Sequence, residues 1–87
     1  MTDMTKLMYF AWVRERIGVS EEMVDLPDDV KTAGDLLAFL AKRGDGYALA
    51  LRHPKVIRVA INQEHVEHDE LIAGAREIAL FPPMTGG

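Results

Sequence analysis

The sequence has 87 residues, of which 48% are hydrophobic and 28% charged, and its net charge is −4 at neutral pH. This balance predicts one globular domain over residues 1–87 and excludes a basic stripe for nucleic acid. The absence of cysteine excludes a disulfide framework, a thiolate metal site and a cysteine nucleophile. No stretch is long and apolar enough to span a membrane, and no signal peptide is recognisable, so we expect a cytoplasmic protein.

The first third of the chain predicts two strands. Residues 6–10 form a short apolar and aromatic run typical of a strand, and Gly18 closes residues 11–17 as a helical turn or loop. Residues 20–26 alternate in polarity, with Glu22, Val24 and Leu26 on one face, and a turn signal follows them. We expect the two strands to pair as an antiparallel hairpin.

Residues 32–43 predict the main helix. Thr32 is a natural N-cap, Asp35 lies three residues later, and leucines follow at helical spacing. Lys42 and Arg43 suit the C-terminal end of the helix dipole, and Gly44 favours a stop. A second, shorter helical turn is expected over residues 47–51.

The last part of the chain predicts three more strands. Residues 56–61 and 76–81 alternate in polarity, and a brief strand is expected around His65 and Val66. Residues 69–75 read as a turn. The order of strand, strand, helix, strand, short strand, strand predicts an α+β domain in which one main helix covers a mixed sheet.

The segment after the last strand predicts an extended, narrow tail. Two consecutive prolines end the strand and favour a stiff exit, and two glycines without β-carbons fit a channel that larger side chains would not enter. Four residues beyond the prolines reach roughly 13 Å when extended. The terminal carboxylate of Gly87 is therefore the candidate reactive group. The tail reads Pro82, Pro83, Met84, Thr85, Gly86, Gly87.

This arrangement resembles the ubiquitin-like β-grasp fold, and more narrowly the small subunits of molybdopterin synthase, the MoaD family of sulfur carriers. The resemblance covers nearly the whole chain from Lys6 onward. The segment from Glu77 to Gly87 is its most specific part, because it joins a strand, a double proline and a diglycine. The other segments that carry it are Tyr9-Phe-Ala-Trp-Val-Arg-Glu15, Tyr47-Ala-Leu-Ala-Leu51 and Val59-Ala-Ile-Asn-Gln63.

The resemblance implies a carrier that is not an enzyme by itself and binds no cofactor. A MoeB-type enzyme would use ATP to adenylate Gly87, and sulfur would then replace the activated oxygen to give a thiocarboxylate, a 1-thioglycine. The tail would enter the large synthase subunit and deliver sulfur to a cyclic pyranopterin monophosphate, forming the molybdopterin dithiolene. Gly86 would keep the tail thin enough for a narrow channel, and Met84 and Thr85 would contact the channel wall. Two small and two large subunits would form a heterotetramer.

Strand alternation predicts a docking surface at the root of this tail. In the last strand Glu77, Ala79 and Phe81 share one side, and the charge of Glu77 indicates that this side faces water. Phe10 shares the corresponding side of the first strand. Because the first and last strands of a β-grasp sheet are neighbours, Phe10 and Phe81 are expected to form one apolar patch, with Pro82 and Pro83 beside it.

Other readings of the sequence remain open. The same fold could serve thiamine synthesis or tRNA thiolation, or act as a ubiquitin-like modifier that joins Gly87 to lysine amines, or be a plain interaction domain. His65, His68 and Asp69 suggest a metal site, but the histidines flank a turn without a third ligand at suitable spacing, and we expect no metal there.

Overall fold

The computed structural model describes residues 4–83. Its helices are α1 (Ala11–Ile17), α2 (Ala33–Ala41) and α3 (Asp45–Ala50), with a short 3₁₀ helix over Pro54–Val56. Its strands are β1 (Met4–Tyr9), β2 (Glu21–Asp25), β3 (Arg58–Ile61), β4 (Glu64–Val66) and β5 (Glu77–Phe81).

The strands of this described part form one mixed sheet in the order β2-β1-β5-β3-β4. The central pair, β1 and β5, is parallel, and every other pair is antiparallel. The predicted hairpin of the first two strands is therefore confirmed, as is the pairing of the first strand with the last. The α+β, β-grasp architecture is also confirmed, with α2 as the longest helix over the sheet.

The N-terminus of α2 has the capping box that the sequence indicates. The Thr32 hydroxyl accepts a hydrogen bond from the Asp35 backbone N–H at 3.1 Å, and the Asp35 carboxylate accepts one from the Thr32 N–H at 3.1 Å. The Lys31 backbone N–H also donates to this carboxylate at 3.1 Å, and this bond, followed by the one from the Thr32 N–H, lowers the pKa of Asp35. Reciprocal bonds of this kind satisfy donors that a helix start leaves free.

Two shorter helices, α1 and α3, pack against each other beside the sheet. Gly18 ends α1 in a left-handed conformation (φ 100°), and its N–H donates to the carbonyl oxygen of Arg14 at 2.8 Å. Gly46 lets α3 approach closely, because a β-carbon there would lie 2.5 Å from the carbonyl oxygen of Arg16. The helical turn over α1 was predicted correctly, whereas α3 starts two residues earlier than expected.

The core lies between α2 and the sheet face that it covers, which we call the inner face. Every second residue of the two central strands points into it, and α2 contributes its apolar stripe. The largest side chains that are fully shielded from water are Leu7, Tyr9, Val13, Leu36, Leu37, Leu40, Ile57, Val59, Ile78 and Leu80.

Candidate functional site

The opposite side of the sheet, the outer face, carries an apolar surface at its centre. Strand register places Met8 beside Ala79, and Ala79 beside Ala60, so these three side chains form a row across β1, β5 and β3. Each follows or precedes a core residue in its own strand, which turns it away from the helices. Phe10 and Phe81 follow two residues after Met8 and Ala79, so they lie beside this row, at one end of the surface along the strand direction. These five residues make up what we call the platform.

The backbones of Phe10 and Phe81 are neighbours, although Phe10 lies just beyond the end of β1. The Phe10 N–H donates to the carbonyl oxygen of Leu80 at 3.1 Å, which continues the β1–β5 pairing by one residue. Phe10 then serves as the N-cap position of α1, with an extended backbone (φ −127°, ψ 154°). Its side chain is 47% exposed. A large aromatic side chain therefore faces solvent next to the strand that leads into the tail.

Two members of the predicted water-facing set are more enclosed than the alternation implied. Ala79 is only 8% exposed, and Phe81 is half-buried. Ala79 is short and lies between Met8 and Ala60, whose strands flank it on both sides. The ring of His65 lies 6.1 Å from that of Phe81 at an angle of 53°. The prediction that Ala79 faces water freely was thus wrong, because neighbouring side chains shield a small residue in a central strand.

Polar and charged residues surround the platform. Lys6 and Glu21 form an ion pair of 3.3 Å on the β1–β2 side. On the other side Arg58 lies opposite Phe81 in the β3–β5 register, and His65 lies opposite Ala60 in the β3–β4 register. An apolar centre with a polar rim is the usual anatomy of a protein interface.

The tail root leaves the sheet at the same end of the platform. Pro82 and Pro83 follow β5 directly and are half-buried. The residues that the sequence assigned to the working part of the tail, Met84, Thr85, Gly86 and Gly87, lie outside the described residues. The structure thus places Phe81, at one end of the platform, immediately before the tail in the chain.

A polar cluster centred on Glu22, which the sequence analysis did not predict, bonds to Tyr9, the last residue of β1 before Phe10. Glu22 accepts hydrogen bonds from the hydroxyls of Tyr9 and Tyr47, each at 2.7 Å, and Arg43 lies 3.6 Å from its other oxygen. Burial, followed by the bond to Glu22, raises the pKa of Tyr9 well above its ordinary range, and the same causes raise the pKa of Tyr47. The sequence gives one indication of this cluster, because Glu22 is a charged residue on the same strand face as the apolar Val24 and Leu26.

The histidines discussed as metal ligands have other surroundings. Nε2 of His68 lies 2.7 Å from the carbonyl oxygen of Ile57, which requires an N–H donor on that nitrogen. Within residues 4–83, no three histidine or carboxylate side chains are grouped closely enough to hold a metal ion. None of the helices in this part has the length and apolarity needed to cross a membrane.

A family model described as the ThiS family matches residues 7–87. The chain belongs to the ThiS family. It is 43% identical to the molybdopterin synthase sulfur carrier subunit of Haemophilus influenzae, over 97% of this chain and 100% of the relative. It is 37% identical to the subunit of the same name from Escherichia coli, with the same coverage of both chains. The resemblance to this group of carriers is therefore confirmed.

Among solved structures, this ThiS-family chain is similar to SAMP1 from Haloferax volcanii. The TM-score is 0.69 at 31% identity, and the match covers 97% of this chain and 99% of the other. A second structure of the H. volcanii small archaeal modifier protein 1 also gives a TM-score of 0.69, at 30% identity. The β-grasp fold is thus shared between relatives named as sulfur carriers and relatives named as modifiers.

Proposed function

We propose that this protein is the sulfur-carrying small subunit of a molybdopterin synthase, with Gly87 as the carrier residue. The supporting observation is that the family match runs through Gly87, and that the two bacterial sulfur carrier subunits align over their whole length. The platform adds support, because a partly exposed apolar surface lies at the root of the tail, with Phe10 exposed and Phe81 half-buried.

The proposed chemistry begins with activation of the Gly87 carboxylate by a partner enzyme. A carboxylate is a poor electrophile, and residues 82–87 contain no ionisable side chain that could act as acid or base. A MoeB-type enzyme would transfer the adenylyl group of ATP to the carboxylate and release pyrophosphate. A sulfur nucleophile from a donor acting through that enzyme would then displace AMP and leave a thiocarboxylate.

Delivery of the sulfur would follow in the large subunit of the synthase. The tail would enter that active site, where successive thiocarboxylates convert a cyclic pyranopterin monophosphate to the dithiolene. Each delivery would return Gly87 to a carboxylate that can be activated again. The small subunit contributes the sulfur atom and its positioning, and the catalytic groups belong to its partners.

Docking through the platform would hold the tail in place. Phe10 and Phe81 would contact an apolar surface of the large subunit, and Pro82 and Pro83 would direct the chain into the channel. Aromatic side chains at the centre of an interface, surrounded by a polar rim, commonly contribute most of the binding energy. We expect two small and two large subunits in the assembled synthase.

Protein modification is the second candidate function. It is favoured by the similarity to the H. volcanii small archaeal modifier protein 1. In that case the activated Gly87 would react with a lysine amine and form an isopeptide bond, instead of accepting sulfur. Carriers for thiamine or tRNA thiolation would share the thiocarboxylate but would not bind the large synthase subunit.

A reconstituted sulfur-transfer assay tests the proposal. The protein would be incubated with ATP, the MoeB-type enzyme, a sulfide source, the large synthase subunit and the cyclic pyranopterin monophosphate, and molybdopterin would be measured. Deletion of Gly87 is expected to abolish product without changing the melting temperature. Gly86→Ala is expected to reduce product strongly, because the added methyl group makes the tail wider than the channel accepts.

Gly44→Ala is the matched control for the glycine substitution. Gly44 has an extended backbone (φ 166°), and a β-carbon there would make an ordinary contact of 3.7 Å with the Tyr47 ring. This variant should retain full activity. Undiminished product from the protein lacking Gly87 would refute the carrier role of that residue.

A further inference from the structure

We propose that Arg58 determines the specificity of docking by binding a carboxylate side chain of the large synthase subunit, next to the platform. This inference rests on the proposed function, because it adds an electrostatic contact to the docking surface described there. It assigns a role to a residue that the sequence pattern marks only as the polar position of a strand.

The position of Arg58 is the first observation. It lies directly opposite Phe81 in the antiparallel register of β3 and β5, and side chains in such pairs have β-carbons about 5 Å apart on the same face. Arg58 is exposed. A partner that covers Phe81 would therefore come within reach of the guanidinium.

The charges around the platform are the second observation. Within residues 4–83, the ion pairs join Lys6 to Glu21 and Arg43 to Glu22. Glu77, the acidic residue of β5 on the outer face, accepts a hydrogen bond from Gln63 at 3.3 Å. Arg58 thus remains, in this described part, a cation beside the platform without an ion pair.

The space beside Arg58 is the third observation. Arg58 and Lys55 line one small open cavity of about 220 Å³, together with His65, His68 and one acidic residue, Glu67. The two permanent cations outnumber the single carboxylate, although the protein as a whole has a net charge of −4. A carboxylate would therefore meet a locally positive site on an otherwise acidic protein.

The chemistry of the guanidinium favours a carboxylate as its ligand. Arginine presents several N–H donors in a planar fork that matches the two oxygens of a carboxylate, and the resulting bonds are stronger than neutral ones. Docking of the platform would exclude water from this pair, which strengthens the attraction between the two charges and also costs their desolvation. Complementary charges of this kind exclude wrong partners more than they raise affinity. The expected partner surface is apolar, with one aspartate or glutamate at its edge.

Binding measurements with Arg58 variants test the inference. The large synthase subunit from the same organism would be titrated by calorimetry with the wild-type protein, Arg58→Gln, Arg58→Glu and Arg58→Lys, at two salt concentrations. We expect Arg58→Gln to weaken binding roughly tenfold and Arg58→Glu by about thirtyfold or more, since like charges repel across an interface. Arg58→Lys should lie between wild type and Arg58→Gln, because it keeps the charge and loses the fork.

Arg76→Glu is the matched control, because it makes the same charge change on an exposed residue just before β5, at the other end of that strand from Phe81. It should bind within about threefold of wild type. Equal weakening by Arg58→Glu and Arg76→Glu would replace the specific contact with a general charge effect and overturn the inference. Wild-type affinity of Arg58→Glu would overturn it while leaving the proposed function intact. If the wild-type protein itself did not bind the large subunit, the docking proposal and this inference would fail together.

Discussion

The inner and outer faces of the sheet are made by alternate residues of the same strands, yet most outer-face side chains are more exposed to water than those of the inner face. Leu7, Ile78 and Leu80 on the inner face have no exposed surface, whereas Phe10 at the edge of the outer face is 47% exposed. Apolar side chains that are buried within the chain stabilise the fold, whereas exposed ones contribute this free energy only when a partner covers them. If the proposed docking is correct, one strand serves stability and recognition separately through its two sets of side chains.

The largest change in stability is expected on the inner face, and substitutions of two neighbouring residues of β1, one on each face, measure the difference. Leu7→Ala should lower the free energy of unfolding by about 2–5 kcal/mol, because it leaves a cavity in the packed core. Met8→Ala, on the outer face, should lower it by less than about 1 kcal/mol. Chemical denaturation of both variants measures the difference. A similar cost at both positions would mean that the outer face is part of the core after all.

Phe81→Ala tests whether the outer face takes part in binding. We expect binding to the large synthase subunit to weaken about tenfold or more, as for a central aromatic contact, while the melting temperature falls by only a few degrees. Phe39→Ala is the control, since Phe39 is a half-buried phenylalanine on α2. That variant should lose stability and keep its affinity. Unchanged affinity of Phe81→Ala in a titration would exclude the platform as the docking surface.

The smallest expected effect concerns the tyrosines that bond to Glu22. Tyr9→Phe removes one hydroxyl bond and should cost about 1 kcal/mol, because Tyr47 and Arg43 still contact the carboxylate. The raised pKa of Tyr9 means that the folded protein holds this proton more tightly than the unfolded chain. Its contribution to stability is therefore complete below the ordinary tyrosine pKa, near 10, and decreases as the pH rises above it.

Unfolding at pH 8 and at pH 11 checks this sign. Wild type should lose more stability between the two pH values than Tyr9→Phe, since the variant has no phenol at that position to ionise. Equal losses in the two proteins would contradict a role for Tyr9 in the alkaline sensitivity. Tyr47 contributes in the same direction to both proteins, so their difference isolates Tyr9.

Features that depend on a few adjacent residues were predicted best from the sequence, whereas features that depend on packing between distant segments were not. The Thr32–Asp35 capping box and the left-handed Gly18 depend on a few adjacent residues, and both are present in the structure. The proximity of Phe10 to Phe81 followed from alternation once the resemblance supplied the order of the strands.

Contacts between distant elements could not be derived from sequence in this way. The burial of Ala79 depends on the strands that flank it, and the bonds of Tyr9 and Tyr47 to Glu22 join residues 13 and 25 positions apart. Gly46 similarly allows a close approach to Arg16 that no local pattern indicates. The proposed role of Arg58 likewise depends on the β3–β5 register, which places it opposite Phe81.

The sulfur-carrier role of Gly87 can be tested by measuring the intact mass of the protein isolated from its native cells, with fragmentation to localise any change. A sulfur-carrying Gly87 requires a population in which one of its carboxyl oxygens has been replaced by sulfur, and this population should disappear in cells that lack the MoeB-type enzyme. Isolation under conditions that slow thiocarboxylate hydrolysis makes the absence of that mass informative. A Gly87 found only as free carboxylate, or joined to lysine amines of other proteins, would contradict the sulfur-carrier role.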